Sequence, residues 1–288
     1  MGRVACSPSL LCYNSAVGTL YLVATPIGNL EDITLRALRT LSQVRLIAAE
    51  DTRQTRKLLA HYQIVTPMLS YHEHNKLARL GEVLAALSRG DVALVSDAGT
   101  PGLSDPGLEL VRAALRAGHQ VSPLPGPSAP IAALVASGLA TDAFLFLGYL
   151  PRRPLERRRL IETLAQERRT LLAFEVPHRL VDSLADLATL LGADRPVAVC
   201  RELSKVHEEI TRGTLADARR RFEAEPPRGE VTLVVGGAEE AARWPEEAVR
   251  AALEQRAASG VSRSQASREV ARLSGWPKRE VYRLAEGQ

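Results

Sequence analysis

Short apolar runs alternate with longer stretches of helical spacing through the first half of the chain. Residues 20–24, 45–49, 68–71, 92–96 and 120–124 are brief apolar runs bounded by polar, Gly or Pro positions, a pattern that predicts strands. Between them Ile33, Ala37 and Leu41, then Leu77, Leu80, Leu84 and Leu87, recur at helical spacing. Alternating strands and helices predict a mostly parallel sheet covered on both faces. A helix follows Pro130 and runs to about residue 137. Further strands are expected at 144–147, 171–174, 197–202, 206–211 and 231–235, with helices at 155–166, 179–190 and 215–222. Strands 197–202 and 206–211 are joined by only 203–205, too short for a crossover, so they form an antiparallel pair and the second sheet is mixed. From Trp244 and Pro245 the pattern is helical, with helices at 246–259, 264–273 and 278–285 separated by Gly260 and by 274–277.

This predicts a two-domain α/β fold with a mostly parallel N-terminal sheet, a mixed second sheet and a small helical C-terminal module. The divisions fall at 1–17 (a disordered extension, dispensable for activity), 18–126, 127–240 and 244–288. The last segment reads either as a helix-turn-helix-like module or as a plain helical cap on the second domain.

Three of the predicted strands end in loops dense in Gly and Pro: 24–32 (ATPIGNLED), 96–107 (SDAGTPGLSDPG) and 123–130 (PLPGPSAP). Ligands bind at the carboxyl edges of parallel strands, and prolines that hold such loops in shape lower the entropy cost of binding. Neither a Walker pattern nor GxGxxG is present, so the expected ligand is neutral or cationic rather than a phosphate group. Asp97, at a strand end, either accepts hydrogen bonds from that ligand or caps the following turn. Ser104 and Asp105 precede Pro106, a helix-start signal, so one of them is expected to be a cap.

Length and composition are those of a globular protein, and no apolar run reaches the ~20 residues that span a bilayer. The cysteines Cys6, Cys12 and Cys200 have neither CxxC spacing nor an even count, which fits reduced thiols in a cytoplasmic protein and predicts no metal site. The formal charge is +4, and residues 151–169 alone carry seven Arg against three Glu. Such a run is either a solvated helix face or a phosphate-contacting surface that includes Arg152, Arg153, Arg157 and Arg158. Arg53, Arg56, Arg179, Arg201 and Lys205 are further candidate phosphate contacts.

TPIGNLEDITLRAL, AAEDTRQTRKLL, SYHEHN, SDAGTPGLSDPG, PGPSA, EVPHRL and RELSKVHEE follow one another in an order that resembles the ribosomal RNA branch of the tetrapyrrole methylase superfamily, over roughly residues 18–237. The resemblance implies a homodimeric enzyme that uses S-adenosylmethionine to methylate the ribose 2'-hydroxyl of a cytidine in the 16S rRNA of the small ribosomal subunit. It places the cofactor against Pro26, Asp97, Gly99, Thr100, Ser104, Asp105, Ser128 and Ala129, and near Phe146 and Gly148.

A ribose hydroxyl is a weak acid, so a base tuned toward neutrality helps the transfer. Acids and histidines at strand ends supply the candidates, in the order Glu50, Glu175 and His74. Two other readings stay open: methylation of a small corrin-like molecule, and a nucleic-acid-binding regulator dominated by its C-terminal helices.

Overall fold

The computed structural model describes residues 18–238 and 244–286; the expected extension 1–17, with Cys6 and Cys12, lies outside the described residues. The first sheet contains β1 (Thr19–Val23), β2 (Leu46–Ala49), β3 (Met68–Ser70), β4 (Val92–Val95) and β5 (Gln120–Leu124), in the order β3-β2-β4-β1-β5. Every pairing in it is parallel. A sheet of this kind is buried on both sides. Val23, Ile47 and Val95 pack on Ala37 and Leu41 of α1 (Leu35–Gln43) and on Leu58 of α2 (Thr52–His61). On the other face Leu20, Ala48 and Leu94 meet Val83 and Leu87 of α3 (Lys76–Leu87) and Leu110 and Ala114 of α4 (Leu108–Arg116).

This arrangement locates a ligand site. The chain leaves β1 toward β2 and leaves β4 toward β5, so connections depart in opposite directions from two neighbouring strands. Such a switch point opens a crevice at the carboxyl ends. The loops after β1 and β4 are tied there by a two-way backbone bridge: Thr25 N to Gly99 O and Gly99 N to Thr25 O, both at 2.9 Å.

The second sheet, in the order β6-β7-β10-β8-β9, is mixed as expected. It comprises β6 (Phe144–Tyr149), β7 (Thr170–Glu175), β8 (Pro196–Arg201), β9 (Glu209–Thr214) and the fully buried β10 (Val231–Val235). Its β6–β7 pair is parallel and the others are antiparallel. α6 (Pro154–Thr163), α7 (Pro177–Leu191) and α8 (Leu215–Ala224) cover one face, while α5 (Ala129–Ser137) lays Ala133 and Leu134 on Leu172, Ala198 and Val234 of the other. The final helices, α9 (Glu246–Ala258), α10 (Arg263–Ser274) and α11 (Lys278–Glu286), pack around a core of their own that includes Val249, Leu253, Val270 and Val281.

Two local expectations are corrected. The strand expected at 206–211 is β9, starting at Glu209, because 202–208 form a loop turned by Glu202 and Ser204 in left-handed backbone (φ 51° and 67°). The Glu208 carboxylate closes that loop by accepting from the Ser204 amide at 2.7 Å, and Val206 is left 96% exposed. Neither Ser104 nor Asp105 caps α4: its N-cap is Gly107, at φ 154°, without a side-chain bond. A Cβ on Gly107 would lie 2.9 Å from Leu94 Cδ2, so the loop passes too close to the core for a side chain at that turn.

Candidate functional site

A cavity of about 280 Å³ opens between the two sheets. Its N-terminal wall is built by the ends of β2 and β4, which are neighbours in the sheet although β3 and α3 separate them in the chain. Glu50 and Asp51 end β2, and Asp97 ends β4. The Asp51 amide donates to Asp97 Oδ1 at 2.9 Å, and the Asp97 amide donates to Glu50 Oε2 at 3.3 Å. Each acid thereby positions the other strand's terminus.

Glu50, Asp97, Gly99, Thr100, Ser104 and Asp105 all line the cavity, as do Ser128 and Ala129 at the start of α5. Thr100 Oγ1 donates to Pro127 O at 3.3 Å and joins two of the Gly/Pro-rich loops. Pro26, Phe146 and Gly148 do not reach the lining. Their neighbours do: Ile27 forms the wall beside Pro26, and Phe174, whose ring meets Phe146 edge-on at 5.2 Å, forms it on the other side. Gly148, at φ 67°, lets β6 approach the β4–α4 loop; a Cβ there would stand 3.1 Å from Ser104 Oγ.

Electrostatics distinguish this cavity. Burial raises the pKa of Glu50 and of Asp97, and each is raised further by a neighbouring carboxylate. Asp105 is pushed up to about 7, first by burial and then by the charges of Glu50 and Asp97. Three carboxylates crowded in a partly dry cleft repel one another, and a cation placed among them relieves both the repulsion and the desolvation. The donor set therefore fits a positively charged ligand. The opposite wall is apolar, with Pro130, Val176, Cys200, Leu203 and Val231. Cys200 is buried, and its thiol is pushed up to about 11 by that burial, so it serves as packing.

The three proposed bases stand in different surroundings. Glu175 lines the cavity, but its carboxylate is occupied: it accepts from the Val176 amide at 2.8 Å and from Ser183 Oγ, and pairs with Arg179 at 2.6 Å. A fully buried carboxylate with those partners holds the end of β7 to α7. His74 is exposed, outside the lining, and packs edge-on against His72. Glu50 lines the cavity, and burial raises its pKa.

The proposed phosphate contacts also divide. Arg157 is 4% exposed and bonds Asp186 of α7 through Nε at 2.8 Å and Nη2 at 2.7 Å, so it is a core ion pair and not a surface contact. Arg179 belongs to Glu175. Arg201 pairs with Glu209 at 2.9 Å, and Lys205 with Glu202 at 2.8 Å and Glu230 at 3.2 Å, which removes all three from an open basic surface. Arg53, Arg56, Arg152, Arg153 and Arg158 are exposed, with Arg53 held to Asp51 at 2.7 Å and Arg153 to Glu156 at 3.2 Å.

Sequence reasoning missed the C-terminal wall, including Tyr149, Leu203 and the stretch 229–232. Gly229 carried the only local signal, a small residue before a buried strand. Its positive φ of 82° belongs to the turn that starts β10.

Comparison with known proteins places these observations. The family model described as Tetrapyrrole (Corrin/Porphyrin) Methylases matches residues 19–219. A relative in Synechocystis, named ribosomal RNA small subunit methyltransferase I, is 53% identical over 93% of this chain and 98% of its own length. A relative of the same name in Thermotoga maritima is 48% identical, with 77% of this chain matching 100% of that protein. Among solved structures, uroporphyrin-III C-methyltransferase from Thermus thermophilus, complexed with S-adenosylhomocysteine, superposes with a TM-score of 0.55 at 21% identity, covering 76% of this chain and 97% of that one.

Proposed function

The chain belongs to the tetrapyrrole methylase family, and from that premise we propose that it transfers a methyl group from S-adenosylmethionine to the ribose 2'-hydroxyl of a cytidine in 16S rRNA. The observation that carries this reading is the cluster of Glu50, Asp97 and Asp105 at the switch point, in a chain 53% identical to a protein named for methylating small-subunit RNA. S-adenosylmethionine supplies a methyl group on a positively charged sulfur, open to in-line displacement by an alcohol oxygen. Everything else falls to the residues of this chain.

Asp97 and Asp105 complement the donor's positive charge. The apolar wall of Pro130, Cys200, Leu203 and Val231 excludes water on the other side. Glu50, held by the Asp97 amide, receives the hydroxyl proton on its carboxylate. Burial raises its basicity, which moves it toward the pKa range where general bases work best. The exposed Arg53 and Arg56, on the helix capped by Asp51, meet RNA phosphates at the cleft entrance, with Arg152, Arg153 and Arg158 as further contacts.

The chain works as a homodimer in the cytoplasm. Among the described residues no helix is long and apolar enough to cross a membrane. The test is incubation of the purified protein with methyl-labelled donor and either small ribosomal subunits or naked 16S rRNA, followed by mapping of the modified nucleotide. Label on a single cytidine ribose is expected. Label on a base, or on a tetrapyrrole offered in competition, would overturn the proposal.

A further inference from the structure

The C-terminal helices carry charge that neither the cleft nor their own packing uses. α9, α10 and α11 enclose one small core, closed by Trp276 Nε1 donating to Trp244 O at 2.7 Å and Trp244 N donating to Ser274 O at 2.9 Å. Three residues join α10 to α11, and Gly275 takes the left-handed conformation at φ 69° that ends α10. On α11, Val281, Leu284 and Ala285 face this core, while Lys278, Arg279, Tyr282 and Arg283 lie on the opposite, exposed face.

Two of the module's carboxylates are held in internal pairs: Glu246 with Arg250 at 2.6 Å, and Glu269 with Arg256 at 2.9 Å. Lys278, Arg279 and Arg283 have no ion pair among the described residues. The net balance of the segment, eight basic against six acidic residues, therefore understates the charge of this one face. Lys278 and Arg279 also stand in the first turn of α11, where cations oppose the helix dipole, so helix stability does not account for them. Tyr282, 36% exposed among these cations, offers a ring on which an unpaired base can stack.

We propose that the exposed face of α11, with Lys278, Arg279, Tyr282 and Arg283, binds the phosphate backbone of the RNA substrate at a distance from the methylated nucleotide. The proposal rests on the RNA reading of the cleft. It makes the module a second anchor, which raises the effective concentration of substrate at the cleft without touching the reacting atoms.

The test uses the full chain carrying Lys278→Glu, Arg279→Glu and Arg283→Glu together, and a second variant with the same three residues changed to Gln. Acidic residues suit the first turn at 278 and 279 but oppose the dipole in the last turn at 283, where the Gln variant is neutral, so circular dichroism checks α11 in both variants. Filter binding to a fragment of 16S rRNA at two salt concentrations should show affinity reduced ~10- to 100-fold, with a salt slope shallower by about 2–3. Correspondingly, KM for RNA rises while kcat and calorimetric affinity for S-adenosylmethionine stay at wild-type values. Tyr282→Ala should weaken binding to single-stranded RNA more than to duplex.

Unchanged RNA affinity and salt slope in the folded variants would overturn the proposal. So would loss of self-association, which would assign the face to a second copy of the chain. If the wild-type protein methylates no RNA, the reading of the cleft fails, and the salt slope still reports separately on this face.

Discussion

Asp105 shows how a residue's chemistry departs from its identity. Its pKa of about 7, against an ordinary 3.8, means the folded chain keeps a proton that the unfolded chain has lost. Between about pH 4 and 7 the unfolded state therefore releases the proton first, and the stability of the ligand-free protein declines as pH rises through that window. Binding of a cation runs the other way, because it needs the carboxylate ionised. Affinity for S-adenosylmethionine is expected to rise about tenfold from pH 6 to pH 8, as the ionised fraction goes from roughly a tenth to nine tenths. Titration calorimetry across that range should show the slope flattened in Asp105→Asn, and a weaker slope for S-adenosylhomocysteine, whose sulfur carries no charge. At Glu50 the prediction concerns rate: Glu50→Gln should lower single-turnover methylation at saturating donor by ~10²- to 10⁴-fold. A loss of only a few-fold would remove Glu50 from proton transfer.

At the scale of elements, the arginine-dense segment 151–169 divides into two functions that its sequence does not separate. Helix α6 turns Arg157 inward, where Asp186 of α7 receives it, while Arg152 and Arg153 are exposed and Arg158 lies at the edge, 3.9 Å from the same Asp186. Removing one partner of a buried pair strands the other charge. Arg157→Ala is therefore expected to destabilise the protein by about 3 kcal/mol in urea unfolding, with RNA affinity unchanged. Arg152→Ala should do the reverse, weakening RNA binding while leaving the unfolding midpoint within about 0.5 kcal/mol of wild type. The termini of β2 and β4 follow the same logic. Because these strands are neighbours, two backbone amides suffice to hold Glu50 and Asp97 against the repulsion of their charges.

For the whole molecule, the cleft depends on how the two sheets are held together across it. The loop between β8 and β9 straps over the N-terminal half: Ser204 Oγ donates to the Asp32 carboxylate, and the Lys205 stem lies where a Cβ on Gly28 would be, 2.3 Å from its Cγ. An exposed hydrogen bond adds little to global stability, so Asp32→Ala should shift unfolding by less than about 1 kcal/mol. Its effect belongs to the strap. Hydrogen exchange at 202–208 should accelerate, and KM for the donor should rise several-fold. Unaltered exchange would mean that the strap is held by Lys205 and the loop's own turns.

Periodicity and turn residues sufficed for the alternation of strands and helices, the parallel and mixed sheets, the three Gly/Pro-rich loops and the helical C-terminal segment, because those are short-range properties of the chain. The spacing of Ala37 and Leu41 reports the face of α1 directly, since each residue's direction follows from its neighbours, whereas Ile33 reaches the same core from extended backbone before the helix. The state of the acids did not follow in this way. Glu50, Asp97 and Asp105 become one cluster only because the crossover order places β2 beside β4, and the Glu175 carboxylate is occupied only because α7 brings Ser183 and Arg179 to it. Desolvation and charge pairing depend on distance through space, which strand order and helix packing decide.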